Sequence, residues 1–157
     1  MAHVAIRLLA VAAVQAFCYA NVTKLPAEHR KVLQDASRFH GVRATTNLPS
    51  TVVKLCTDLN GRIAEPGREW EASDVIRGDK LPRKRLIWAV TDGEHYVVHY
   101  ERGGIAHSFH ILVVSLAKGT TKPTFVWRGV GDQLRGYAAF LSALKTNKLD
   151  DRLEYAH

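Results

Sequence analysis

Two glycine-marked turns do most to limit what this chain can fold into. Asp92-Gly93 and Gly103-Gly104 each interrupt a run rich in β-branched and aromatic residues. Arg85–Thr91, His95–Arg102 and Ile105–Leu116 therefore read as three successive strands joined by tight hairpin turns. A fourth strand, Thr124–Arg128, follows the Gly119-Thr120-Thr121-Lys122-Pro123 connection. The expectation is a four-stranded antiparallel meander over about residues 85–129.

Helical spacing flanks this block. Over residues 26–40, Pro26 suits a first turn, Val32, Leu33, Ala36 and Phe39 share a face, and Gly41 can end the helix. Over 50–59, Val52, Val53, Cys56 and Leu59 keep helical spacing before Asn60-Gly61. Over 132–147, Asp132 offers a cap and Leu134, Tyr137, Phe140, Leu141 and Leu144 form a stripe. Strands grouped between helices define an α+β class, with the helices expected on one face of the sheet. A content of 46% hydrophobic and 24% charged residues suits one globular domain and excludes the disordered, collagen-like and coiled-coil classes.

The first twenty residues stand apart. Arg7 precedes an apolar run, Leu8–Phe17, which is followed by Cys18-Tyr19-Ala20. This is the pattern of a secretory signal peptide, and the run is far shorter than the roughly 20 residues that span a bilayer. The expected organisation is a signal peptide at 1–20 and a single α+β domain at 21–157, secreted or periplasmic after cleavage near Ala20, with no transmembrane segment remaining. Cys18 leaves with the leader, so Cys56 has no intramolecular disulfide partner and reads as a buried apolar thiol. Asn21-Val22-Thr23 matches the N-glycosylation pattern.

The chain is basic, with 22 Lys and Arg against 15 Asp and Glu and a formal charge of +7. Seven of those basic residues fall in a long connection from Gly61 to Arg85, punctuated by Pro66-Gly67, Gly78-Asp79 and Leu81-Pro82, in which Trp70, Val75 and Ile76 are the candidate anchors. Lys80, Arg83, Lys84 and Arg85 cluster at its end, with Arg62, Arg68 and Arg77 upstream. Trp70, Arg83, Lys84 and Arg85, with His95, are the candidate binding residues. They suit an anionic envelope component or another protein. Nucleic acid is disfavoured, because export removes it from reach and aromatics are sparse among these charges.

The richest chemistry lies between His95 and His110. With a two-residue Gly103-Gly104 turn, Arg102 pairs with Ile105, Glu101 with Ala106, His99 with Ser108 and Val97 with His110. One face then carries Tyr96, Val98, Tyr100, His107, Phe109 and Ile111 and meets the helices. The other carries His95, Val97, His99, Glu101, Ser108 and His110, a polar face turned to solvent. In that register His99, His110 and Glu101 form a candidate two-histidine, one-carboxylate site for zinc or another transition metal, with His95 a poorer ligand. A three-residue turn would instead group His107 with His99 and Glu101, but it would turn Phe109 and Ile111 outward. Ser108 lies mid-strand rather than on a nucleophile elbow, and Gly129-Val130-Gly131 carries Asp132 where a phosphate would sit.

The reading that follows is an exported small binding or inhibitor-like module acting on a macromolecular partner or ligand in the cell envelope, with no cofactor required. The alternative is a small metal-dependent or acid–base enzyme using the His/His/Glu face.

Overall fold

The computed structural model describes residues 24–74 and 80–146. The expected leader, Asn21, Val75, Ile76, Arg77 and the end of the C-terminal helix lie outside them. Five antiparallel strands form one meander in the order β1 (His40–Val42), β2 (Lys84–Thr91), β3 (His95–Arg102), β4 (Ser108–Ser115) and β5 (Thr124–Gly131). Among the described residues three α-helices accompany it: α1 (Ala27–Gln34), α2 (Ser50–Val53) and α3 (Tyr137–Lys145). The class is α+β, as the grouping of strands implies, with one strand more than expected.

That extra strand arises where the first helix stops early. Asp35 leaves helical geometry (φ −81°, ψ 79°), and Ser37 Oγ donates to its carboxylate at 2.6 Å. A single 3-10 turn, Ala36–Arg38, follows, and His40, Gly41 and Val42 then pair with Thr91, Val90 and Ala89. Apolar spacing therefore outruns the helix, because Phe39 reaches the core from extended backbone. The second helix is likewise one turn rather than 50–59. Asp58 takes the N–H groups of Asn60 and Arg62 on one carboxylate oxygen and so bends the chain at Leu59. The last helix starts at Tyr137, not at Asp132, because β5 runs on to Gly131 and Gly136, at φ 119°, makes the entry.

Both faces of the sheet are covered, not one. On one face Leu48, Val52 and Cys56 pack over Leu86, Tyr96, Val98, Tyr100, Leu112 and Val114. Cys56 is buried there, as its spacing implied. On the other face Leu25 and Leu33, with Phe140 and Leu144, pack over Val97, Ile111, Val113 and Trp127. The Tyr137 hydroxyl fastens α3 to α1 by donating to the Leu33 carbonyl at 2.6 Å. Burial, then the nearby Asp92 and Asp35 carboxylates, push its pKa well above the usual tyrosine range.

The β3–β4 connection is the main departure. It spans residues 103–107, so that Arg102 pairs with Ser108, Glu101 with Phe109, Tyr100 with His110 and His99 with Ile111. Relative to a two-residue turn, every β4 side chain changes face. The cause is a close approach. A Cβ on Gly103 would stand 2.2 Å from the Glu71 carbonyl oxygen and 2.7 Å from the Ala72 Cα. The Gly103 N–H donates to the Arg83 carbonyl at 2.9 Å, and the Gly104 N–H, at φ 128°, donates to that of Ala72 at 3.3 Å. The glycine pair is thus a seat for the long connection, and the chain reverses over the three residues that follow.

Gly103→Ala should therefore lower stability by about 1–3 kcal/mol, the cost of forcing a methyl group into packed backbone. Gly41→Ala, which meets open space, serves as the control. Urea midpoints of the two variants check this. Equal midpoints would show that the connection does not rest on Gly103.

Candidate functional site

The new register separates the three residues expected to bind metal. His99 and Glu101 share the α1/α3 face of the sheet, whereas His110 lies on the α2 face with its ring stacked on Tyr100 at 5.0 Å. Among the described residues no group of three His, Cys, Asp or Glu side chains converges on one point. The expected solvated polar face does not exist. His95, His99, Glu101 and His110 are all buried.

His99 is held by backbone on both sides. Its Nδ1 donates to the His110 carbonyl at 2.8 Å, and its Nε2 accepts the Leu134 N–H at 3.1 Å. Trp88 flanks the ring and donates its own indole N–H to the Leu134 carbonyl at 2.8 Å. His99 thus fixes the entry to α3 as a neutral ring with neither nitrogen free. Burial lowers its pKa below the ordinary 6.5, against the opposing pull of the His110 carbonyl and the Glu101 charge.

Glu101 organises the end of the sheet nearest Gly103. Its carboxylate accepts Arg85 Nε on one oxygen at 2.7 Å and His107 Nε2 on the other at 2.9 Å. Trp70, from the long connection, closes over both partners. Its ring lies 5.1 Å from the Arg85 guanidinium carbon and 5.3 Å from the His107 ring. The structure therefore brings Trp70, Arg85 and Glu101 together with His107, which the two-residue turn had placed on the opposite face. Arg85 also donates to the Arg68 carbonyl at 3.3 Å, so its guanidinium holds the connection in place.

Arg83 and Lys84 flank this cluster. The Arg83 N–H donates to Asp58 Oδ2 at 2.9 Å, while its carbonyl accepts from Gly103. One peptide segment thereby ties the turn around Leu59, the end of the connection and the β3–β4 loop into a single unit. Arg62 donates to the carbonyls of Lys80 and Leu81, which adds residues 80–81 to it. Lys84 lies directly opposite Arg102 and extends over the Tyr100 ring at 5.1 Å, so two cations face each other across neighbouring strands. At the tips, Leu59 and Ile105 are 92% and 96% exposed.

His95, the remaining candidate, sits at the far end of the sheet. Its Nδ1 faces Asp92 Oδ2 at 3.4 Å, and its Nε2 faces His29 Nδ1 at 3.2 Å. Arg38 pairs with the same Asp92 oxygen at 3.1 Å. Burial opposes ionisation of Asp92, but the N–H groups of His95 and Glu94, then the electrostatic attraction of the neighbouring His95 ring and of Arg38, outweigh it and hold the carboxyl below its ordinary range. His29 and Asp92 carry no sequence signal of this meeting, since 66 residues separate the two rings.

Comparisons with protein-family models, curated proteins and solved structures find no match for this chain. Among the described residues no helix is long and apolar enough to cross a membrane.

The buried neutral state of His99 fixes a pH dependence. An unfolded chain takes up a proton at this residue near pH 6.5, whereas the folded chain resists it. The resulting loss of stability is absent above pH 6.5, begins as the pH falls through 6.5, and grows towards the lower folded value. Urea unfolding at about pH 7.5 and about pH 5 should show a smaller drop for His99→Gln than for the wild type. Identical drops would assign the dependence to other groups.

Proposed function

We propose that this chain is an exported binding module that docks on an anionic component of the cell envelope through the Gly103 end of its sheet. The observation that carries this reading is the stitch at Arg83. Its backbone joins three segments that present Lys80, Arg83, Lys84 and Arg102 beside two exposed aliphatic tips, Leu59 and Ile105. Cations near an anionic surface attract it over about a Debye length, and apolar tips add contact area once it is reached. Trp70 and Arg85 serve this reading from beneath, by fixing the connection on Glu101.

The test uses charge reversals that change net charge equally at the two ends of the sheet. Lys80→Glu with Arg83→Glu alters side chains at the proposed surface and leaves the Arg83 backbone stitch in place. Lys118→Glu with Lys122→Glu alters the β4–β5 connection at the opposite end. Chain 21–157 should bind immobilised dextran sulfate in a salt-dependent way. The first pair should weaken that binding at least about tenfold, since each cation near an anionic surface contributes on the order of 1 kcal/mol. The second pair should weaken it far less. Equal losses would mean that net charge, not this surface, does the binding. Export is tested separately by N-terminal sequencing of secreted protein, with Asn21 expected as the first residue.

A further inference from the structure

The pair formed by His29 and His95 is independent of that docking surface and points to different chemistry. His29 lies in the first turn of α1 and His95 opens β3, so the pair joins the helix to the end of the sheet farthest from Gly103. His29 Nδ1 and His95 Nε2 face each other at 3.2 Å, with the rings inclined at 66°. Two imidazole nitrogens bound to one ion at about 2.0–2.1 Å stand roughly 2.9–3.4 Å apart, from square-planar to tetrahedral angles.

We propose that His29 and His95 form an open, two-histidine site for a divalent transition-metal ion of the zinc and copper class, with Asp92 as its supporting carboxylate. Asp92 faces Nδ1 of His95, the nitrogen turned away from His29. The two atoms stand in ion-pair range without hydrogen-bond geometry, so the carboxylate acts on the ring by its charge, which favours a proton on Nδ1 over Nε2, the nitrogen that faces His29. A carboxylate on the far side of a metal-binding imidazole is the support that sets which ring nitrogen is free for the ion. Arg38 on one oxygen of Asp92, and the backbone N–H groups of Glu94 and His95 on the other, fix the carboxylate in turn. His95 is buried and its ring is set by the turn that carries it, while half-buried His29 leaves one side of the pair towards solvent. No third His, Cys, Asp or Glu among the described residues completes the set, so the remaining coordination positions belong to water or to an incoming ligand. Imidazole pairs favour copper and zinc over harder cations such as magnesium and calcium.

The test is titration of untagged, chelator-treated chain 21–157 with zinc and with copper salts by calorimetry, together with the change in melting temperature on adding metal. One equivalent should bind and raise the melting temperature. His29→Ala and His95→Gln should each lower affinity at least about tenfold and remove the rise, whereas His40→Ala, an exposed histidine in β1, should keep both. Asp92→Asn, which retains an oxygen for the turn, should lower affinity by about 10–100-fold. Absence of saturable binding by the folded protein, or binding unchanged in His29→Ala, would overturn the site and leave the pair as a hydrogen bond between rings.

Discussion

The missing side chain at Gly103 is the constraint on which the rest of this sheet depends. It lets the backbone of Glu71 and Ala72 lie against the end of β3, closer than any Cβ allows. The chain then cannot reverse at Gly103-Gly104 and needs three more residues before β4 begins. That length fixes the parity of the hairpin. Phe109 and Ile111 consequently join His99 and Glu101 beneath α1, α3 and Trp70, while His110 joins Tyr100 beneath α2.

Burial of both faces decides what the polar residues can do. A carboxylate or imidazole taken out of water needs a partner of its own. The facing atoms Asp92 Oδ2 and His95 Nδ1 meet in ion-pair range at 3.4 Å without a hydrogen bond. Glu101 is matched by Arg85 and His107, His99 by two backbone groups, His110 by Ser108, and Asp92 by Arg38 and its own turn. The cations divide in the same way. Arg85 and Arg62 are committed to internal carbonyls and carboxylates, whereas the side chain of Lys80 is exposed at the Gly103 end. The basic composition of the chain is thus partly structural.

The sequence is legible where local chemistry and fold agree. The bounds of β3 follow from its run of β-branched and aromatic residues and its glycine-marked ends, and α3 follows from its stripe even though Gly136, not Asp132, opens it. The reading fails where a long-range contact overrides a local signal. Gly103-Gly104 has the composition of a tight turn, yet its use is set by a connection some thirty positions upstream. The pattern of polar residues could not correct this, because strands buried on both faces lose the alternation that pins register. Trp70, Arg85 and Glu101 stand out in the sequence as individual candidates and do meet, and His107 joins Glu101 as the disfavoured longer turn groups them, because a buried second face lets Phe109 and Ile111 accept that register. The meeting of His29, His95 and Asp92 depends on α1 folding back over the first residue of β3, which no local pattern announces.

The register of the β3–β4 hairpin carries most of this account, and cross-strand proton contacts measured by NMR in the labelled protein test it most directly. Backbone contacts between Tyr100 and His110 and between His99 and Ile111 are the predicted result. Contacts between His99 and Ser108 and between Val97 and His110 would contradict it, and would return His99, Glu101 and His110 to a single face.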